Sequence, residues 1–322
     1  MNRMAMNMIK NLEKVSTRAM TRERWLKARQ GSIGGSDAAA IMGLNNYSSP
    51  FSVWAEKLGK TPPFEGNEAT RQGTDLEDYV AHRFMEATGK KVRRENSLLK
   101  NPAYPFAHAN VDRLVVGDDA GLECKTTSAL SLKRFKNGEY PVNYYVQCMH
   151  YMAVTGAAKW YLAVLVLGKE FLWFEIPRDE DEIRVLMESE KKFWDMVLSE
   201  TPPAVDGKDA TSEALAAVYN DPDYGEAVSL EDMIGVFSSL ETLKAEKKRI
   251  SSEIAEKENE IKNRLGNSTE GICGLSKVSW KEQPRRTFNA DAYLKDHPFA
   301  DFDPYYKTTY SRVLRITTKK EK

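Results

Sequence analysis

The apolar and polar positions along the chain alternate in a pattern of helix, hairpin, helix, strand and helix, followed by a segment of different character. Over residues 69–88, Leu76, Tyr79, Val80, Phe84 and Met85 recur at three- and four-residue spacings ahead of Gly89. That spacing predicts an amphipathic helix with a glycine stop. Residues 110–128 hold two short β-rich runs separated by Gly117, Asp118, Asp119 and Gly121, the composition of a hairpin turn. A helix is expected from Pro141 to Gly156, strands over the apolar and aromatic stretch 158–174, and a second amphipathic helix over 179–198, closed by Thr201, Pro202 and Pro203. Upstream, the basic segment 18–30 carries Trp25 and Leu26. It leads into Gly31, Gly34 and Gly35, where Ser36 or Asp37 can cap a helix continuing through Ala38 to Met42.

Between Glu200 and Glu226 the composition shifts to Pro, Asp, Gly and Ala, which marks a boundary. Beyond it, Leu240, Leu243, Ile250, Ile254, Ile261 and Leu265 fall at near-heptad spacing among Glu and Lys, as in a long helix or a helical hairpin. β-rich runs follow at 271–280 and 305–316. The predicted organisation is an α/β core over 1–205, a mixed β-sheet flanked by helices. A linker follows over 206–228, then a C-terminal helical and β extension over 229–322, read as an interaction module.

Composition narrows the setting. Apolar residues make up 41% and charged residues 29% of 322, within the range of water-soluble globular chains. The longest apolar run, Trp160–Leu167, falls far short of a membrane span of roughly 20 residues, so no membrane partner is expected. The N-terminal stretch is interrupted by Asn2, Arg3, Asn7, Lys10 and Asn11, unlike a secretory signal, and a cytoplasmic location is expected. Cys124, Cys148 and Cys273 form no CxxC pair, which argues against a disulfide framework, a zinc ribbon and a four-cysteine iron–sulfur site. Because 47 basic residues cancel 47 acidic ones, a polyanion would have to be met by local patches. Three are candidates: Arg22, Arg24, Lys27 and Arg29; Lys90, Lys91, Arg93 and Arg94; and Lys133, Arg134 and Lys136, beside Phe135 and Tyr140. Each alone reads better as a solvated face, and only association with an acidic motif favours a phosphate-binding role.

The chemistry concentrates in Asp112 and, after ten intervening residues, Glu123-Cys124-Lys125. Side chains alternate along a strand, so Glu123 and Lys125 share one face while Cys124 points to the core. Asp112, Glu123 and the Cys124 carbonyl offer the oxygen ligands a hard cation such as Mg²⁺ prefers, with Lys125 placed to orient or stabilise the attacking water. Glu77 can complete an acidic cluster, and Gln147 and Tyr151 lie i,i+4 on one helix face. On its own, a D…ExK pattern also fits any charged hairpin.

Taken together, Gly73-x-x-x-Glu77, Asp112, Glu123-x-Lys125 and Gln147-x-x-x-Tyr151 resemble the PD-(D/E)xK nuclease superfamily in its RecB-like branch. The stretch 29–37, Arg-Gln-Gly-Ser-Ile-Gly-Gly-Ser-Asp, is similar to YqaJ-type viral recombinases, relatives of bacteriophage lambda exonuclease, and the likeness covers about residues 20–200. It implies a Mg²⁺-dependent DNA exonuclease, with two ions that Mn²⁺ can replace. Such an enzyme would degrade linear duplex 5′ to 3′ to expose 3′ strands for a single-strand annealing protein. Glu77, Asp112 and Glu123 are implied as metal ligands, Lys125 as positioning the water and Gln147 as touching the reacting site. Arg29 and Ser36 are implied at the 5′ phosphate, with Tyr144 and Tyr151 on the DNA side. A helix cap is the competing reading for Ser36. A structure- or sequence-specific endonuclease and a non-catalytic DNA-binding scaffold are the alternatives. The expected setting is a bacterial or phage-infected cell, with duplex ends, an annealing protein and further copies of the chain as partners. Lambda-like enzymes carry an acid where many RecB-like nucleases carry a histidine, which leaves His82, His108 and His150 to surface or packing roles.

Overall fold

The computed structural model of the protein describes residues 12–309 and 311–317. It comprises two units, one running to Asp221 and including the residues from Ser311, the other beginning at Pro222. Among the described residues no helix is long and apolar enough to cross a membrane.

The first unit opens with β1 (Glu13–Ser16) and α1 (Arg22–Gln30), whose first turn is closed by the Thr21 hydroxyl accepting from the Arg24 amide. The two-residue strand β2 (Ile33–Gly34) passes straight into α2 (Gly35–Ile41), followed by α3 (Pro50–Lys57). The predicted amphipathic helix is α4 (Glu68–Thr88), capped by Asn67 and stopped by Gly89 in the left-handed conformation. Three short strands come next, β3 (Val92–Arg94), β4 (Ser97–Lys100) and β5 (Ala107–Ala109). The predicted hairpin is β6 (Arg113–Val115) and β7 (Ala120–Thr127). Helix α5 (Val142–Thr155), strands β8 (Lys159–Val166) and β9 (Glu170–Pro177) and helix α6 (Glu180–Leu198) lie where the pattern placed them. The stretch expected as a linker instead carries α7 (Asp209–Val218), which packs on α3 and buries Thr211 and Ala214.

Strands β3, β6, β7, β8 and β9 form one sheet in that order, antiparallel throughout except for the parallel pair β7–β8. That pair is parallel because α5 provides the crossover between them. A smaller sheet has the order β1-β4-β5-β2. Alternation along the strands sorts the main sheet's two faces. Leu122, Tyr161 and Ala163 pack with Val80, Ala81 and Phe84 of α4, and Cys124 lies against the same cluster. Trp160, Leu162 and Val164 pack on the other face with Met149 and Met152 of α5. In the β7–β8 register Gly121 stands opposite Trp160, and a Cβ there would come within 2.1 Å of the indole ring, so this position accepts only glycine. The unit is the expected α/β core, a mixed sheet between helices.

The second unit contains α8 (Ile234–Leu265), a hairpin of β10 (Glu270–Cys273) and β11 (Ser276–Ser279), and α9 (Ala290–Asp296). The near-heptad stretch is thus one continuous helix rather than a helical hairpin. The β run expected at 305–316 forms no strand among the described residues, where the chain lacks a neighbouring strand to pair with. The N-terminal residues read as unlike a secretory signal lie, up to residue 11, outside the described residues.

Candidate active site

The strand alternation that faces Leu122 and Cys124 toward α4 turns Glu123 and Lys125 toward α5. There the Lys125 ammonium lies 2.6 Å from Glu123 Oε1. The same carboxylate oxygen accepts from Gln147 Nε2 at 2.8 Å, while Glu123 Oε2 is buried with no partner. Gln147 Nε2 also lies 2.8 Å from the Tyr151 hydroxyl, which donates to the Asn110 carbonyl at 3.1 Å. A hydrogen-bonded chain therefore runs from the turn before Asp112, through α5, to the β7 acid.

Asp112 sits just ahead of β6, and its Oδ2 accepts from the Cys124 amide at 2.8 Å. Burial raises its carboxyl pKa well above the usual range, and the Glu123 and Glu77 carboxylates raise it further. Burial works against the Lys125 charge, yet Glu123 and Asp112 outweigh it and lift the ammonium above its ordinary pKa. Lys125 is thus a cation here, packed with Nζ 5.3 Å from the centre of the Tyr144 ring. A pair of carboxylates, Asp112 half-buried and Glu123 buried with an orphaned oxygen, suits a hard divalent cation, which would satisfy that oxygen and relieve the repulsion.

Glu77 lies close enough to act on the Asp112 charge, but its carboxylate is engaged elsewhere. It arrives on α4, from the opposite face of the sheet, and its carboxylate is taken by the buried Arg113 guanidinium, which also bonds Asp78 at 2.6 Å and the Asp112 carbonyl at 2.7 Å. Accordingly, no group of three His, Cys, Asp or Glu side chains is gathered as a metal cage among the described residues. Tyr151 is only 4% exposed and its hydroxyl is engaged with Gln147 and the Asn110 carbonyl, so it lies beneath the site as a brace.

Arg29 and Ser36 are brought together as expected, with Arg29 Nη2 2.8 Å from Ser36 Oγ. Ser36 is not the cap of α2. That position is Gly34, whose amide donates to Asp37 Oδ2 at 2.9 Å. Gly35 is a contact glycine, since a Cβ would lie 2.6 Å from the Tyr151 ring and 3.2 Å from Gln147 Cγ. The Arg29–Ser36 turn therefore rests directly on the helix that holds the acid site.

Of the basic patches, the one at 90–94 is largely neutralised by Asp118, Glu95 and Asp78. Arg22 is spent on the carbonyls of Phe64 and Glu65. Lys133, Arg134 and Lys136 are exposed and make no ion pair among the described residues, whereas Phe135 is buried against Phe174. His82 is a surface residue paired with Glu86, and His108 and His150 are buried. Arg113 and Lys57, both central to the geometry, were missed in the sequence because an isolated basic residue carries no motif.

Comparison with known proteins bears on this arrangement. Residues 24–158 match the model of the YqaJ-like viral recombinase domain. Over 270 residues the chain is 40% identical to the uncharacterized protein YqaJ of Bacillus subtilis (strain 168), covering 81% of this chain and 84% of that one. The chain belongs to the YqaJ-like viral recombinase family. Among solved structures, an alkaline exonuclease from Laribacter hongkongensis is similar at TM-score 0.49 and 24% identity, covering 56% of this chain and 94% of its own. A phage-related exonuclease from Haemophilus somnus 129PT is similar at TM-score 0.41 and 15% identity, covering 52% and 96%. The fold assignment rests on the strand order and side-chain geometry of the chain itself.

Proposed function

We propose that the protein is a Mg²⁺-dependent deoxyribonuclease that digests linear duplex DNA from its ends, 5′ to 3′, and leaves 3′ strands for a single-strand annealing protein. One observation carries the reading: two adjacent carboxylates, half-buried Asp112 and buried Glu123, with an orphaned carboxylate oxygen, a paired lysine and a glutamine brace, in a chain of a recombinase family. Asp112, Glu123 and the Cys124 carbonyl would hold the metal, and Glu77 would contribute once released from Arg113. Bound there, the metal ions, two of them in such sites, would supply an activated water and charge stabilisation for the leaving oxygen.

The chain's own groups do the rest. Gln147, an uncharged donor, fixes the Glu123 carboxylate through a hydrogen bond, and Tyr151 fixes Gln147 in turn. Lys125, held as a cation, orients the water and offsets negative charge on the scissile phosphate rather than taking a proton. Arg29, with its forked donors, and Ser36 receive the 5′ phosphate of the end. Lys133, Arg134 and Lys136 follow the backbone, and Tyr144 lies beside Lys125 on the DNA side. Partner contact, with an annealing protein or further copies of the chain, is assigned to the second unit. The setting is the cytoplasm of a bacterial or phage-infected cell.

The test is digestion of end-labelled linear duplex in Mg²⁺ beside a covalently closed circle. The linear substrate should be degraded from its 5′ ends and the circle left intact; a cut circle would favour an endonuclease with the same acids. Asp112→Asn and Glu123→Gln should each lower the rate by at least about a hundredfold without loss of folding. Full activity in either variant would overturn the reading.

A further inference from the structure

Beneath the Arg29–Ser36 turn lies a second charged pair that no motif marks. Lys57, the last residue of α3, has a side chain 2% exposed, and its ammonium lies 2.6 Å from Asp37 Oδ2, itself on a side chain 10% exposed. Lys57 Nζ also donates to the Arg29 carbonyl at 3.1 Å. Asp37 Oδ2 accepts from the Gly34 amide at 2.9 Å, and Arg29 Nη2 reaches Ser36 Oγ at 2.8 Å. The guanidinium is steadied from its other side by the Trp25 ring, 4.6 Å away. His108 closes the floor: it is fully buried, with Nε2 unpartnered and facing Gly34, 3.1 Å from where a Cβ would stand. Lys57 is thus paired with one fixed anion, Asp37, and Arg29 acts on the same carboxylate through space while its guanidinium is held at Ser36.

We infer that Asp37 and Lys57 are positioning residues for the 5′ end, locking the backbone at Arg29 and Gly34 so that Arg29 and Ser36 present a preset site for a terminal phosphate. This rests on the reading of Arg29 and Ser36 given above. The energetic sense is preorganisation: a guanidinium already aimed by a buried pair spends little of its interaction with the anion on ordering itself. An ion pair kept solely for stability would have no effect on which chemical group the DNA end carries, and this separates the two roles.

The experiment measures binding of the full chain to a short labelled duplex with 5′-phosphate or 5′-hydroxyl ends, by fluorescence anisotropy in Ca²⁺, alongside thermal unfolding. Asp37→Asn and Lys57→Met are the variants, because each removes one charge at nearly constant shape. The unmodified protein should prefer the phosphorylated end, and in both variants that preference should fall by about tenfold, as expected for a misaligned charge-assisted contact. If the unmodified protein does not distinguish the ends, the phosphate reading of Arg29 and Ser36 fails and the inference falls with it. If it does distinguish them and either variant remains folded with its preference intact, only the positioning role is overturned. Loss of the folded state in both variants would also overturn it, by showing that the pair serves stability.

Discussion

His108 has Nδ1 2.9 Å from Ser32 Oγ, no partner for Nε2, and no exposure to water. Burial lowers its pKa to about 3, whereas in the unfolded chain it titrates near 6.5. Below that value the unfolded state takes up a proton that the folded state refuses. The associated stability is fully present above pH 6.5 and is lost as the pH falls toward 3, at up to about 1.4 kcal/mol per pH unit. His108→Gln should therefore flatten the fall of the melting temperature between pH 6.5 and pH 4 relative to the unmodified protein; parallel curves would refute this. Gly35 gives a sterner test. With Tyr151 2.6 Å from an added Cβ, Gly35→Ala should cost about 1–3 kcal/mol and reduce cleavage as α5 is displaced, as read by urea unfolding and a digestion assay. Asp112, Glu123 and Lys125 were legible because strand alternation plus a carboxylate preference names them. Lys57 and Arg113 were not, since what makes them matter is a partner from a distant segment.

At the scale of elements, α5 joins the acid pair to the Arg29–Ser36 turn. Its Gln147 and Tyr151 hold the β7 acid while Gly35 of α2 sits on the same two side chains. The helices and the hairpin were readable in outline because their apolar stripes and glycine stops are local features. The face of the sheet on which α4 lands was not readable. That unread fact decides the fate of Glu77, which sequence order placed in the acid cluster and which packing gives to Arg113. The β7–β8 pairing yields its own prediction: Gly121→Ala forces a methyl into the Trp160 indole and should destabilise the core by about 3 kcal/mol, measurable by thermal unfolding. A variant as stable as the unmodified chain would show that Trp160 can move aside.

For the whole molecule, the composition change after Glu200 signalled a boundary, but the first unit continues to Asp221 because α7 packs Ala214, Leu215 and Val218 against the core. A chain ending at Asp221 should fold and keep its nuclease activity. One ending at Lys208 should lose about 3 kcal/mol of stability as those apolar groups are withdrawn; equal melting temperatures would contradict the packing. Helix α8 is the opposite case. It runs 32 residues, roughly 48 Å at 1.5 Å per residue, with no buried residue along its length. Its visible support is side-chain pairing along its own surface, such as Arg249 with Glu253 and Lys257 with Glu260, each at 2.6 Å, worth a few tenths of a kcal/mol per pair. A rod so held can open and close turn by turn. Its amide hydrogens should trade for deuterium within seconds, while those of β7 and β8 remain protonated until the whole core unfolds.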